Sequence, residues 1–212
     1  MDPKDVEQLL ESRRSIRKYR EEMPSEKLLE EMIQCALHAP SPSNSQPVRF
    51  VRFKSSDSRQ RLHQTMGAAK ERYLAHIAKY PGFKSLRNKI NFFYRHSVFM
   101  FDAPVLMAAG TIAGLPGLTR HLSPAEVSHD RRKKDRDLDI SLGLAVKGFI
   151  LKAHSLGLGT CILTAPLHFV PDLDHVLPQD ELRLKCFITV GFPDQTPDLP
   201  PRRTVGDIYR EI

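Results

Sequence analysis

Residues 139–156 read DISLGLAVKGFILKAHSL. At 100° per residue, Ser141, Gly148, Lys152 and Ser155 fall on one narrow stripe and Gly143, Lys147 and His154 on another, and almost everything else is apolar. The pattern predicts a helix from Asp139 to Leu156 that is buried nearly all round. A helix so apolar is best explained if a second subunit covers part of it, which places it in a dimer core. Gly157 follows as a left-handed cap, and Cys161-Ile162-Leu163 reads as a buried strand stopped by Thr164-Ala165-Pro166. Gly157 and Gly159 follow a helix rather than precede one, the reverse of a dinucleotide-binding fingerprint, so they read as a simple turn.

Outward from this helix the chain alternates between two periodicities. Pro104 to Gly110 is an uninterrupted apolar run, suited to a strand buried on both faces, and Leu182 to Gly191 supplies the last strand. Val48 to Phe53 alternates well enough for a strand at the sheet's entry. Helical stripes cover residues 3–12, the segment after the N-cap Ser25 up to Pro40, residues 56–79 and residues 83–101. Pro171 to Leu177 reads as a short helix. Residues 111–138, with Gly114, Pro116, Gly117, Pro124 and the run Arg131-Arg132-Lys133-Lys134, read as a mobile surface excursion. The tail at 192–212 is proline-rich and extended, and its Val205, Ile208, Tyr209 and Ile212 are expected to pack on another surface such as a second subunit. This order is α+β rather than a regular βαβ alternation, and 212 residues suit a single domain. The expected architecture is a central, mostly antiparallel sheet flanked by helices.

Composition narrows the function classes. Hydrophobic residues at 41% and charged residues at 27% suit a globular protein, and no run approaches the ~20 apolar residues of a membrane span. The start, Met1-Asp2-Pro3-Lys4-Asp5, lacks the apolar core of a secretory signal, so the expectation is a cytoplasmic protein with no membrane partner. Cys35, Cys161 and Cys186 are odd in number and sit in apolar patterns, as reduced core residues do. A net charge of +7 admits nucleic acid, an anionic membrane surface or phosphorylated small molecules. The chain has no tryptophan and no glycine-aromatic motif of an RNA-binding sheet, which argues against nucleic acid. Its nine histidines show no metal-ligand spacing, and neither a G-x-S-x-G elbow nor a phosphate loop is present. With no metal expected, what remains is a protein that holds a cofactor and leaves the chemistry to it.

The residues for such a task lie near the start. If Ser12-Arg13-Arg14-Ser15-Ile16-Arg17-Lys18-Tyr19 is extended, Arg13, Ser15 and Arg17 share one face while Arg14, Ile16 and Lys18 share the other. Forked guanidinium donors match phosphate oxygens, and a serine hydroxyl adds a neutral donor; a solvated basic turn is the alternative. Ala39-Pro40-Ser41-Pro42-Ser43-Asn44-Ser45-Gln46-Pro47 is a loop in which three prolines remove backbone donors while Ser and Asn supply side-chain ones.

The arginine stretch, this proline-serine loop, Leu156-Gly157-Leu158-Gly159-Thr160 after the apolar helix, and Gly191-Phe192-Pro193 before a basic tail together resemble the nitroreductase family of flavoproteins, over nearly the whole chain. The resemblance implies an FMN-binding homodimer with sites at the subunit interface, using NAD(P)H to reduce a small acceptor such as a nitroaromatic or quinone. It further implies that Arg13, Arg14 and Ser15 hold the FMN phosphate and that Arg17 lies near flavin N1 and O2. Pro40, Ser41 and Ser43, with Asn44 and Gln46, would reach the flavin from the partner subunit. Leu163, Thr164 and Ala165 would lie beside it, with a backbone donor addressing N5, and Arg202 or Arg203 would supply a second phosphate cation. No side chain is assigned a catalytic role, because flavin N5 carries the chemistry. Val48 stands where many relatives carry tryptophan, which reshapes that wall. A flavin carrier or sensor without turnover, and a basic nucleic-acid-binding module, are the alternatives.

Overall fold

A computed structural model describes residues 2–80, 82–112, 124–170 and 182–212, with the side chains of 124–132 and 134 outside that description. The elements run α1 (Pro3–Ser12), α2 (Glu26–Leu37), β1 (Val48–Arg52), α3 (Ser56–Ile77), α4 (Lys84–Val98), β2 (Val105–Thr111), α5 (Pro124–Ser155), β3 (Gly159–Leu163), β4 (Arg183–Gly191) and α6 (Val205–Ile208). Short 3-10 turns lie at Pro42–Asn44, Phe99–Phe101 and Ala165–Phe169. Helix starts are set by side-chain caps: Asp2 accepts from Lys4 N ahead of Pro3, and Ser25 and Ser55 accept from Leu28 N and Ser58 N.

The four strands form an antiparallel sheet in the order β1-β2-β4-β3, so β2 and β4 are central. All seven residues of β2 are buried. Alternation sends Val105, Met107 and Ala109, with Cys186, Ile188 and Val190 of β4, toward α2 and α5. Leu106, Ala108, Phe187, Cys161 and Leu163 face the opposite layer, where Leu62, Met66 and Ala69 of α3 meet Phe169. The fold is therefore α+β with helices on both faces of the sheet, as the apolar run of β2 requires. On the first face Phe149 of α5 stacks on Phe50 at 5.1 Å. Burying such a side chain contributes about 2–3 kcal/mol.

Helix α5 begins at Pro124, well before the expected Asp139, so residues 124–138 are helical rather than an irregular excursion. The expected features at 113–123, and the short helix at 171–177, fall outside the described residues. Within one chain α5 is buried on one side only. The stripe of Ser141, Gly148 and Lys152 turns inward: a Cβ on Gly148 would lie 3.3 Å from Cys35 O, Lys152 pairs with Glu31 at 3.0 Å, and Ser141 Oγ donates to Asp137 O at 2.7 Å. Small residues there let α2 approach closely. The outward face carries Ile140 and Leu144, 61% and 44% exposed, together with Lys147.

Arg59 of α3 ties its helix to the chain at one end of the sheet. Its guanidinium donates to Phe53 O (3.1 Å), Ala103 O (2.7 Å), Pro104 O (2.8 Å) and Phe101 O (3.4 Å), gathering the carbonyls where the chain enters β2. Arg59→Ala strands these acceptors and is expected to lower the unfolding free energy by about 3 kcal/mol in a urea melt. Arg59→Lys should recover little of it, because one ammonium cannot span a fork of four carbonyls.

Candidate functional site

The arginine stretch leaves the end of α1 in extended conformation, with Arg13 at ψ 132°. Arg14 turns back to cap the helix, its Nη1 donating to Arg13 O at 2.7 Å and to Glu11 O. Ser15 then bridges Thr160 of β3 in parallel, and Ile16 N donates to Thr160 O at 2.9 Å. Ile16 is buried, and it fits because Gly159 has no side chain: a Cβ there would lie 2.6 Å from Ile16 Cγ1. Tyr19 OH donates to Ile16 O and meets Thr189 Oγ1 at 2.7 Å, and burial pushes its pKa up. Beyond it, Arg20 N donates to Phe192 O (2.9 Å) and Asp194 N to Lys18 O (3.0 Å), tying the tail to the same edge.

Ser15 meets β3 at a single residue, and by Tyr19 the stretch pairs instead with Pro193, beyond the Gly191 end of β4. Arg13 lines the cavity beside Gly159, and Arg17 is exposed. Both raise the positive potential at the Cys161 thiol, although burial dominates and pushes that thiol's pKa up. Leu163 is buried, Thr164 exposed and Ala165 half-buried at the start of the 3-10 turn, whose first N–H groups have no intrahelical partner.

Cations converge at the Gly159 end. Arg13 is held below its ordinary pKa by burial, by Arg202 and by Arg14, and the His154 imidazole is lowered by burial, Arg13 and Arg14. Among the described residues, no carboxylate forms an ion pair with Arg13, Arg14, Arg17 or Arg202. A cavity of about 540 Å³ opens here between Arg13, Arg14, His154, Gly159 and the tail at Pro193–Leu199. Arg202 and Arg14 both line an adjoining hollow between α1 and the tail, shared with Glu7 and Glu11. The tail arginine that reaches the cluster is thus Arg202; Arg203 lines neither hollow.

Pro40, Ser41, Ser43, Asn44 and Gln46 lie elsewhere. Their loop is rigidly built, with Ser43, Asn44 and Gln46 at φ of 52°, 51° and 44°. Such left-handed backbone costs about 1 kcal/mol or more per residue and persists only where the surroundings enforce it. Here Ser41 Oγ accepts from Gln46 N (3.0 Å), Gln46 Nε2 donates to Asn44 Oδ1 (3.1 Å), and Arg49 Nη1 donates to Gln46 O (2.9 Å). The loop packs by Ser141 and Ala145 of α5, whereas the cation cluster packs by His154. Those positions on one helix are separated by roughly 14–20 Å at 1.5 Å per residue. One chain does not bring the two residue sets together.

His154, Gly159 and Tyr19 are the contributors that local sequence patterns do not single out. Gly159 leaves a trace as the second glycine of Gly157-Leu158-Gly159, but its partner Ile16 is remote in sequence. Gly159→Val should displace Ile16 and spread Arg13 from Arg17, with a stability loss of about 2 kcal/mol measurable by thermal melting. Gly157→Ala should cost about 1 kcal/mol, since its φ of +76° is the only obstacle and nothing lies within 4 Å of an added Cβ. The described residues contain no cluster of metal-ligating side chains, and no helix there is long and apolar enough to cross a membrane.

Comparison with known proteins gives concordant matches. The chain is 22% identical over 205 residues to the Bacillus subtilis (strain 168) protein designated NAD(P)H nitroreductase YfhC, covering 96% of this chain and 92% of that one. The fold matches a BluB-like flavoprotein from Clostridium difficile 630 with a TM-score of 0.82, 25% identity and 98% coverage of both chains. It also matches iodotyrosine deiodinase bound to FMN and 3-iodo-L-tyrosine, with a TM-score of 0.66, 23% identity and 97% coverage of each. The model of the Nitroreductase family spans residues 10–192, which takes in the arginine stretch, the whole sheet and α5 together, and the chain belongs to that family.

Proposed function

We propose that this chain is an FMN-dependent oxidoreductase that draws electrons from NAD(P)H and delivers them to a small acceptor such as a nitroaromatic or quinone. The observation that carries this reading is the cluster of Arg13, Arg14 and Arg202 without a paired carboxylate, beside a cavity at the edge of β3. Three guanidinium groups that repel one another suit a dianionic phosphate, so the residues present fit the cofactor. Bound FMN would supply the two-electron chemistry, accepting hydride at N5.

The chain's own residues bind and orient. Arg13, Ser15 and Arg202 hold the phosphate, with Arg14 dividing its donors between that site and the end of α1. Arg17 faces the flavin's N1 and O2 edge, where a cation stabilises negative charge that develops on reduction. Leu163, Thr164 and Ala165 form the wall beside the ring, and a backbone N–H at the start of the 3-10 turn addresses N5. Pro40, Ser41, Ser43, Asn44 and Gln46 come from a partner subunit, since within one chain they lie far from Arg13. The uncovered Ile140 and Leu144 of α5, and the tail's Val205, Ile208 and Tyr209, supply apolar surface for that homodimer.

The test is the absorption spectrum of the purified protein followed by addition of reductant. A yellow protein that releases about one FMN per chain on denaturation is expected, with bleaching by NADH or NADPH under anaerobic conditions and recovery on adding a nitroaromatic or quinone. A colourless protein that does not take up added FMN would refute the reading. Bound flavin that never bleaches would mark a carrier or sensor instead.

A further inference from the structure

His154 stands in the cation cluster with no role among those above. It projects from the last turn of α5 and lines the same cavity as Arg13 and Arg14. Its Nε2 lies 2.8 Å from Ser12 Oγ, whose single proton is directed at Gln8 O, 2.6 Å away. The hydroxyl therefore accepts, and Nε2 carries the hydrogen. Nδ1 keeps its lone pair, and no protein group meets it among the described residues. A second proton can be added at Nδ1 without breaking a bond.

The charged groups around His154 decide when that happens. Arg13 and Arg14 flank it from the extended stretch, and Arg202 joins them from the tail. On α1, Glu7 and Glu11 line the adjoining hollow with Arg14. On α5 itself Lys152 is neutralised by Glu31 of α2 at 3.0 Å, and on β3 the buried Cys161 thiol is uncharged at neutral pH. No carboxylate pairs with the imidazole among the described residues, so in the free protein its cationic form is opposed by burial and by two arginines. A phosphate in the cavity reverses the sign of that local field.

We propose that His154 is a proton-linked anion ligand, taking up a proton when a phosphate group enters the cavity beside Arg13, so that phosphate retention weakens as pH rises. For the physiological ligand this rests on the reading that the cavity holds the FMN phosphate. Linkage is reciprocal: if phosphate raises the imidazole pKa by one unit, the protonated protein binds phosphate tenfold more tightly than the neutral one. His154→Gln is the informative variant, because the amide keeps a donor for Ser12 and cannot titrate.

The first measurement is the histidine Cε1–Hε1 spectrum of the full chain, with His154 assigned by its loss in His154→Gln. It is followed from pH 5 to 8.5 with saturating inorganic phosphate and, separately, with chloride at equal ionic strength. The His154 midpoint should rise by about one pH unit in phosphate; an unchanged midpoint overturns the proposal, whatever the flavin result. The second is FMN affinity by flavin fluorescence quenching at pH 6.5 and 8.5. Wild type should lose about threefold to fivefold more affinity over that interval than His154→Gln. The titration of the phosphate itself affects both proteins alike, and riboflavin, lacking phosphate, should show no difference between them. Equal pH profiles for FMN in the two proteins overturn the proposal while leaving the flavin reading intact. A His154 midpoint that moves with phosphate in a protein that binds no FMN at any pH supports the proposal and refutes the flavin reading.

Discussion

Replacing Arg13 and Arg17 together with alanine is expected to release FMN, weakening its binding by at least about 10²-fold, because each change removes a charge-assisted contact from a site with few other donors. Arg13 is half-buried and lines the cavity, whereas Arg17 is exposed and outside its lining, so their losses should differ in kind. Arg13→Ala should cost affinity for FMN far more than for riboflavin if, as proposed, its partner is the phosphate. Arg17→Ala should weaken both flavins and lower the reduction potential of the bound flavin, since a cation at the ring edge favours the reduced anion. Fluorescence titration with FMN and riboflavin, and dye-equilibration potentiometry, check these outcomes. A double variant that stays fully yellow would place the phosphate site elsewhere. Fold loss does not confuse the result: the edge is held by Ile16, Gly159 and Tyr19, and Arg17 is exposed.

Ile140→Asp with Leu144→Asp should leave the chain folded but monomeric and colourless. Both side chains are exposed on a helix whose opposite face is packed on α2 and the sheet, so the single chain loses little. In a dimer the same changes bury two carboxylates per subunit against apolar surface, each costing several kcal/mol unless paired. Dissociation should be complete at micromolar concentration in size-exclusion chromatography, with the helical circular dichroism retained. Flavin should be lost with the dimer, because in the proposed assembly the Pro40–Gln46 loop completes the site from a partner. A variant that stays dimeric and yellow would remove this face of α5 from the interface, and a yellow monomer would show that one chain completes the site.

The elements with strong local periodicity were legible before any coordinates. β2 is continuous apolar sequence, α2 carries a clear stripe behind the Ser25 cap, α3 carries a stripe of its own, and β3 follows a glycine whose φ is +76°. Such signals arise from backbone geometry and solvent exclusion within one segment, and they survive without tertiary information. The start of α5 is hidden in the sequence because Pro124 and the run of basic residues resemble a loop, whereas proline is well tolerated in a helix's first turn. The stripe of Ser141, Gly148 and Lys152 has an orientation that its composition leaves open. Small and paired residues there serve close approach to α2, and periodicity cannot distinguish a face turned to water from a face turned to a nearby helix.

By itself the sequence determined an α+β chain with an arginine stretch, a proline-serine loop and a basic tail in the order of the nitroreductase family. Those are properties of residue type and spacing along the chain. Only the tertiary structure decided that Gly159 makes room for Ile16, that Arg202 rather than Arg203 joins Arg13, and that His154 stands among the arginines. It also decided that the loop and the arginine cluster lie along different parts of α5. These facts depend on contacts between residues far apart in sequence, whose distances are set by how the layers pack and which no local pattern encodes.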